Sequence, residues 1–457
     1  MINSLNRHQK EAVGLLQIGT FLEYFDLMLY VHMAVLLNEL FFPKTDPHTA
    51  ALLSAFAFCS TFVFRPFGAL IFGWMGDNIG RKSTVVITTM LMALSSIVMA
   101  NLPTYAQIGI AASWVITICR MVQGVASLGE IVGAEVYLTE IIKKPACYPF
   151  VSFIAVSSVA GTVMALAVAS LFTSFEMNWR IAFWIGSGIA AMGSIARTRL
   201  RETPEFADMN RRIKDIAETA DKKAQSISRK LLRNTIVQET QNNYKLAAFW
   251  FFLIQCSWPI SFYFSYFYCA NLLKALGSTP EQIIHQNLVV TIVQLVSLSF
   301  ISYLSYKIHP LKILKVKAFL YLAFLFIIPF GLSNVTSAIG IFFLQAISVS
   351  LALDSAPAVP VFLSHLPILK RYTYASFTYA VSRAAMYIIT SFGLVYLTEW
   401  MGHYGLLIIM VPTYLSFIFG VKHFEKLEQQ NSSNNDDQKS DHSNTLAKKS
   451  QKNVVYA

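Results

Sequence analysis

Ionisable side chains interrupt the most apolar stretches of this chain. Glu23, Asp26, Arg65, Arg120 and Glu130 each stand within a long apolar run. A charge in such surroundings is costly unless it is paired or hydrated, so these residues are candidates for a functional site. A carboxyl can bind and release a proton when its environment changes, and an arginine offers a planar fork of donors to a carboxylate. The residue types predict a site that carries a proton and binds a carboxylate or a zwitterion.

Spacing indicates how deep these residues lie. At 1.5 Å per helical residue, Glu23, Arg65 and Glu130 all come about 15 to 20 Å above the cytoplasmic boundary, in one layer. Arg120 lies farther out, near the outer vestibule. The candidate proton-coupling residues are Glu23, Asp26 and Glu130, and the candidate substrate-binding residues are Arg65, Arg120, Tyr24 and Gln123. Alternatively, Glu23 and Arg65 neutralise each other and tie two helices together.

Other intramembrane charges are predicted to be structural. Asp354 and Arg383 come to similar depths on consecutive apolar runs, about 18 to 24 Å from the boundary, which predicts an ion pair between them. For Glu135 a structural role is favoured. The aromatic run that follows Trp258 and Pro259 could bind a quaternary ammonium, but packing against lipid is the favoured interpretation.

The elements that must position these residues are transmembrane helices. The chain of 457 residues is 55% hydrophobic and 13% charged, with a mean hydropathy of +0.51, which is too apolar for a water-soluble domain. Runs of roughly twenty apolar residues are long enough to cross a hydrocarbon layer of about 30 Å. The twelve predicted spans are 13–37, 50–72, 84–100, 111–139, 150–172, 181–196, 246–272, 288–306, 313–332, 338–361, 374–397 and 405–421.

Basic residues are concentrated in alternate loops, which places those loops and both termini in the cytoplasm. The net charge of +11 is therefore explained by these loops and does not indicate a surface that binds nucleic acid. Four regions result: a six-helix bundle (1–196), a cytoplasmic linker (197–245), a second six-helix bundle (246–424) and a disordered cytoplasmic tail (425–457). The first apolar run is too long and too acidic for a cleavable signal peptide.

Enzyme chemistry has no sequence signature here. A phosphate-binding glycine loop, a nucleophile elbow and metal-ligand spacing are all missing, and the five cysteines are scattered. We therefore expect neither an enzyme nor an ATP-driven pump, and neither a metal nor a cofactor.

The stretch "GWMGDNIGRK" joins the second and third spans. Its glycines allow helix ends to approach closely, Asp77 can accept hydrogen bonds from a helix N-terminus, and Arg81 can pair with an acid such as Glu140. The pattern resembles the loop signature of the major facilitator superfamily. That resemblance implies an all-α membrane fold of two six-helix bundles and a cytoplasmic gate formed by Gly73, Asp77, Gly80, Arg81, Lys82 and Glu140.

A narrower resemblance covers residues 21–206. "EYFDLMLY", "FRPFGALIFGWMGDNIGRK" and "CRMVQGVASLGEIVGAEVYLTE" are similar, in order, to the metabolite:proton symporter family. The resemblance implies a monomeric symporter in a bacterial cytoplasmic membrane that binds protons and a small solute, with proline or betaine-type zwitterions favoured over dicarboxylates. The second half departs from the family pattern: "SYKIHPLK" lacks an acid and glycines. A membrane sensor or scaffold that has lost transport is the alternative of another class.

Overall fold

The computed structural model describes residues 5–43, 61–174 and 244–454, and between them 178, 180, 181, 183–188 and 191. The described chain is helical, and no strand occurs in these ranges. The side chains of Arg81, of Glu130 and of 431–454 lie outside the description, as does nearly all of the predicted linker.

The first half contains six named helices. They are α1 (Arg7–Phe41), α2 (Arg65–Asn78), α3 (Arg81–Asn101), the one-turn α4 (Tyr105–Ile108), α5 (Ile110–Ile141) and α6 (Cys147–Ser174).

The second half is more interrupted. Its helices are α7 (Tyr244–Gln255), α8 (Ser257–Tyr263), α9 (Cys269–Ala275), α10 (Pro280–Leu304), α11 (Pro310–Asn334), α12 (Ala338–Leu351), α13 (Val359–Ser364), α14 (Arg371–Ile388), α15 (Leu394–Met401) and α16 (Gly405–Val454). A π-helical turn (Phe264–Tyr268) joins α8 to α9, and a second (Ile389–Gly393) joins α14 to α15. The seventh predicted span therefore comprises α7 to α9, and the eleventh comprises α14 and α15.

Among the described residues, nine helical segments are long and apolar enough to cross a membrane. The other three predicted spans have separate reasons for missing this criterion. The second span lies partly, and the sixth largely, outside the described residues. The eleventh is described but is rich in polar residues, "RYTYASFTYAVSRAAMYI" in α14, because it faces protein rather than lipid along much of its length.

Large apolar side chains cover the outside of the bundle. Trp400 is 88% exposed, Phe330 65% and Phe67 63%. An apolar surface of this extent is not tolerated in water but is suited to lipid chains. The chain is therefore a multi-pass membrane protein.

The first bundle is held together by close helix contacts. α1 packs along α6, and α5 packs against α2 and α3. At the crossing of α1 and α6, a Cβ placed on Gly161 would overlap the Phe21 carbonyl oxygen and lie 2.9 Å from the Phe25 nitrogen. Glycine is needed there because the obstructing atoms are backbone and cannot turn aside.

We expect Gly161→Ala to lower the melting temperature of the detergent-purified protein, because overpacking a tight helix contact costs about 1 to 3 kcal/mol. Gly14→Ala in α1 is the matched control, since nothing lies within 4 Å of a Cβ at that position. Equal melting temperatures for the two variants would show that the α1–α6 crossing is looser than described.

Several sets of contacts join the halves. α2 and α5 of the first half pack against α14 of the second, and α6 packs against α10. At the α2–α14 contact, a Cβ on Gly73 would lie 2.8 Å from Thr373 Cα, and one on Gly76 would lie 2.7 Å from the Tyr372 ring. These small residues let the two halves meet closely on the side of the "GWMGDNIGRK" loop.

The C-terminal helix extends beyond the twelfth predicted span. α16 ends at Val454, so it includes most of the residues that we assigned to a disordered tail. Glu425 bonds Lys315, and Glu428 bonds Lys144. The first residues of the assigned tail are thus held by ion pairs, which composition alone does not reveal.

Candidate functional site: a central cavity and a cytoplasmic gate

A cavity lies between the two halves, and its empty space, including the part open to solvent, is about 940 Å³. Helices of both bundles line it, including α1, α2, α5, α6, α8, α10 and α14. A site at the seam between bundles changes shape whenever the bundles move relative to each other.

The cavity carries both signs of charge. Arg65 and Glu135 come from the first half, and Asp354 and Arg383 come from the second. All but Asp354 are at most 7% exposed. Two of the four predicted substrate-binding residues, Arg65 and Tyr24, are on this wall. Sequence reasoning missed Glu135 and Arg383 as cavity residues, since spacing gives no direction in which a helix points its side chains.

A hydrogen bond connects the halves within the cavity, and a stacked cation lies beside it. The hydroxyls of Tyr24 and Tyr379 lie 3.2 Å apart. The Arg383 guanidinium carbon lies 3.3 Å from the centre of the Tyr379 ring, and Arg383 Nη1 lies 3.4 Å from Gln255 Oε1. This guanidinium is therefore oriented by an aromatic face and an amide rather than by a carboxylate.

The predicted ion pair between Asp354 and Arg383 is wrong as a direct contact. Both residues line the cavity, but no salt bridge joins them among the described residues. Asp354 Oδ1 instead accepts a hydrogen bond of 2.9 Å from the Ala356 amide. The depth calculation was adequate, but the break between α12 and α13 supplies a backbone donor that satisfies the carboxylate.

The aromatic run of the seventh span also differs from the prediction. Trp258, Phe262 and Tyr266 line the cavity instead of packing on lipid. Their spacing of four places them on one helix face. Tyr387 of α14 lies opposite, with its ring 4.4 Å from that of Phe62. The cavity thus has an aromatic wall that can bind a cationic group.

Asp26, a predicted proton-coupling residue, lies in a separate buried network. Its carboxylate accepts a hydrogen bond from Ser96 and one of 3.4 Å from Gln123 Nε2. Gln123 in turn accepts a 2.9 Å bond from Arg120. The four side chains are buried within the first bundle and are not among the residues that line the cavity.

Arg120 does not reach an outer vestibule. It is 3% exposed, its guanidinium carbon lies 4.2 Å from the Tyr30 ring centre, and Nη1 donates to the Leu27 carbonyl at 3.3 Å. An aromatic face and a backbone carbonyl inside the bundle accommodate this charge. Glu23, the neighbour of Tyr24, is buried at 4% exposure, and the Glu130 side chain lies outside the description.

Asp77 fastens the first half to the start of α14. It accepts hydrogen bonds from the Tyr372 amide at 3.3 Å and the Thr373 amide at 2.9 Å. The Thr373 hydroxyl donates a third at 2.6 Å. A carboxylate at a helix N-terminus is stabilised by the helix dipole and by otherwise unsatisfied amides. The role suggested by the sequence thus has a specific partner in the other bundle.

Gly80 turns the chain into α3. Its φ of 136° is in the region that favours glycine, and its carbonyl accepts the Thr84 hydroxyl at 3.0 Å. Lys82 follows on the first turn of α3, partly exposed. The signature glycines therefore have two separate functions, a turn at Gly80 and a close helix approach at Gly73.

Glu140 pairs with a residue that sequence reasoning did not consider. Arg371 Nη1 lies 3.2 Å from Glu140 Oε1, and the Glu140 side chain is fully enclosed. The pairing of Glu140 with Arg81 stays a prediction, because the Arg81 side chain lies outside the description. Asp77 and Glu140 together bind the first turn of α14, so this face of the seam is closed.

A charge swap should test the gate pair. Breaking a buried pair on one side costs about 3 to 5 kcal/mol, so Glu140→Arg and Arg371→Glu alone should each lower the melting temperature. The double variant should recover part of the loss. Lys144→Gln, which removes an exposed partner of Glu428, is the control, with a cost of about 0 to 1 kcal/mol. Additive losses in the double variant would refute a direct pair.

Comparison with known proteins agrees with this fold. Residues 14–428 match the profile described as "Sugar (and other) transporter". A segment of 204 residues is 32% identical to the proline/betaine transporter of Salmonella typhimurium, and 212 residues are 35% identical to an inner membrane metabolite transport protein of Escherichia coli. The two matched segments cover 43% and 44% of this chain. They cover 41% and 48% of the respective relatives, so the match spans less than half of each relative's length.

Solved structures are similar over nearly the whole chain. The proton:xylose symporter XylE aligns with a TM-score of 0.73 and 13% identity, covering 92% of this chain and 95% of that one. FucP, a major facilitator superfamily transporter captured in its outward conformation, aligns with a TM-score of 0.65 and 14% identity, covering 90% and 98%. At such identities the likeness shows the fold alone. The profile match and the two-bundle fold establish that this chain belongs to the sugar (and other) transporter family of the major facilitator superfamily, whose members are transporters and not enzymes.

Proposed function

We propose that the protein is a proton-coupled symporter that imports a small zwitterion, of the proline or betaine type, by alternating access. The observation that carries the proposal is the cavity at the seam, which combines arginines, carboxylates and aromatic rings. We place the protein in a bacterial cytoplasmic membrane with both termini in the cytoplasm, from its loop charges and the names of its relatives.

The cavity chemistry suits both ends of a zwitterion. Arg65 or Arg383 can bind a carboxylate through its fork of donors. The ammonium end can lie against Trp258, Phe262 or another aromatic ring, where each favourable cation–π contact contributes about 0.5 to 2 kcal/mol. Relatives named for proline and betaine support this class.

The closed cytoplasmic gate supports alternating access. Asp77 and Glu140 hold α14 on one side of the cavity through hydrogen bonds and an ion pair. Releasing these contacts would let the two bundles rock apart about the site. Hydrogen bonds and ion pairs can be exchanged for bonds to water when the seam opens, so such a gate can open repeatedly.

Two other functions are distinguished by the same experiment. The two arginines favour a dicarboxylate or another organic acid as the runner-up substrate. A transport-inactive sensor or scaffold is the alternative from another class. Each outcome has its own signature in the same assay.

The test is uptake by purified protein in proteoliposomes whose outside is more acidic than the lumen. We expect labelled L-proline or glycine betaine to accumulate and a protonophore to abolish the accumulation. Accumulation of labelled 2-oxoglutarate alone would instead favour the organic acid. Protein that is correctly inserted but neither accumulates nor exchanges any of these solutes would contradict the symporter and favour the sensor.

A further inference from the structure

Glu135 of α5 is an acid that the gate does not use. Among the described residues that line the cavity, it is the one acid from the first half. It is 7% exposed, and its carboxylate has no hydrogen-bond or ion-pair partner in the described part of the chain, where only its backbone carbonyl accepts the Thr139 hydroxyl. A buried, unpartnered carboxyl that faces a cavity is costly unless it has a function.

The charged neighbours of Glu135 come from the opposite bundle. Arg383 and Asp354 interact with it electrostatically, and Arg65, Tyr24 and Tyr379 share the cavity. The helices α3 and α6, which pack on α5, carry no charged residue between positions 83 and 101 or between 147 and 174. α1 and α2 also pack on α5, and their intramembrane charges, Glu23, Asp26 and Arg65, belong to the same bundle as Glu135. Arg383 and Asp354 are therefore the charges near Glu135 that lie across the seam and move relative to it.

We propose that Glu135 carries the coupling proton, in place of the acids that the sequence puts forward. This inference rests on the proposed symport. A substrate carboxylate that binds Arg383 removes the positive charge that favours an ionised Glu135. Proton binding and substrate binding then assist each other, which is the linkage that symport requires.

The position of Glu135 also connects the proton to the gate. Glu140, five residues after Glu135 on α5, binds Arg371. Gly133, two residues before Glu135, packs so close to α14 that a Cβ there would lie 2.5 Å from the Tyr372 hydroxyl. Opening the gate separates α5 from α14, admits water and moves Arg383 away. A proton held in the enclosed cavity would then be released toward the cytoplasm.

Asp26 is the main alternative to Glu135 as the residue that carries the coupling proton. Its carboxylate is already bonded to Ser96 and Gln123 inside one bundle. That network can persist when the bundles rock as rigid bodies, so the rocking itself does not change its surroundings. Glu135 faces the moving seam and Asp26 does not.

The direct test uses pH-induced infrared difference spectra of the reconstituted protein without substrate. We expect a titrating carboxyl band that disappears in Glu135→Gln and persists in Asp26→Asn and Glu23→Gln. A band that persists in Glu135→Gln, or that is lost only in Asp26→Asn or Glu23→Gln, would overturn the assignment. The spectra decide the assignment whether or not the transported solute has been identified.

Transport measurements separate the inference from the proposed function. In Glu135→Gln, we expect accumulation driven by the pH gradient to fall at least about tenfold relative to the rate at which the same variant exchanges labelled glycine betaine or proline across the membrane. Accumulation that survives in Glu135→Gln refutes the inference alone. A wild-type protein that neither accumulates nor exchanges the solutes refutes the proposed function, while the infrared bands still report on Glu135.

Discussion

Arg383→Gln is expected to weaken binding of labelled glycine betaine or proline by about 30- to 1000-fold, because a charge-assisted contact worth about 2 to 4 kcal/mol is removed. Arg383 is buried and stacked on Tyr379, and its Nη1 donors meet neutral acceptors, Gln255 and Ser382 among them. In the described part of the chain, no direct ion pair neutralises its charge. A substrate carboxylate would supply that missing charge.

Arg383→Lys is the matched variant. It keeps the positive charge but loses the planar fork and most of the stacking, so we expect an intermediate affinity. Equilibrium binding to purified protein, with melting temperature measured in parallel, separates a lost contact from a misfolded variant. Unchanged affinity in Arg383→Gln would remove Arg383 from the substrate site and leave Arg65 as the anion-binding residue.

Asp77→Asn is expected to shift the protein away from the closed cytoplasmic gate. Asparagine has the shape of aspartate, but it loses the negative charge at the α14 N-terminus and turns one acceptor into a donor. The two amides and one hydroxyl that now bond Asp77 would compete for a single oxygen. We expect gradient-driven uptake to fall at least about tenfold, with normal membrane insertion.

The gate effect can be measured without a substrate. A cysteine introduced at cavity residue Ser158 should react faster with a membrane-impermeant maleimide added on the cytoplasmic side when Asp77 is asparagine. The native cysteines described, Cys119, Cys147, Cys256 and Cys269, are buried, so protein without the introduced cysteine gives the background. An unchanged labelling rate would show that Asp77 stabilises the structure without controlling access to the cavity.

The sequence alone was sufficient for the membrane architecture. Apolar length determines where a chain can cross a bilayer, so the spans follow from local composition. Loop charge predicts the orientation, which stays a prediction. The sequence also indicated the functions of three loop residues. A carboxylate such as Asp77 can bind the N-terminus of a helix, and glycines such as Gly73 and Gly80 allow a close helix approach or a turn. The weakest span by composition, the eleventh, is polar because α14 meets α2 and α5 at the seam.

Partner identity needed the folded chain. The sequence pairs Asp354 with Arg383 by depth, but a broken helix gives Asp354 the Ala356 amide. Arg371 was absent from the predicted gate, although it binds Glu140. Arg371 is more than two hundred residues from Glu140 in the chain, and the Ala356 amide is free to donate because the helix breaks there. The spacing of charged residues predicts neither of these partners.

What the sequence by itself determined is the spacing of the charged residues along each helix, because a helix rises 1.5 Å per residue wherever it lies. What only the tertiary structure decided is the direction in which each helix points its charges. Asp26 is turned toward Ser96 and Gln123 inside one bundle, whereas Glu135 is turned into the cavity. That rotation follows from the packing of each helix against its neighbours, which brings together residues far apart in the chain.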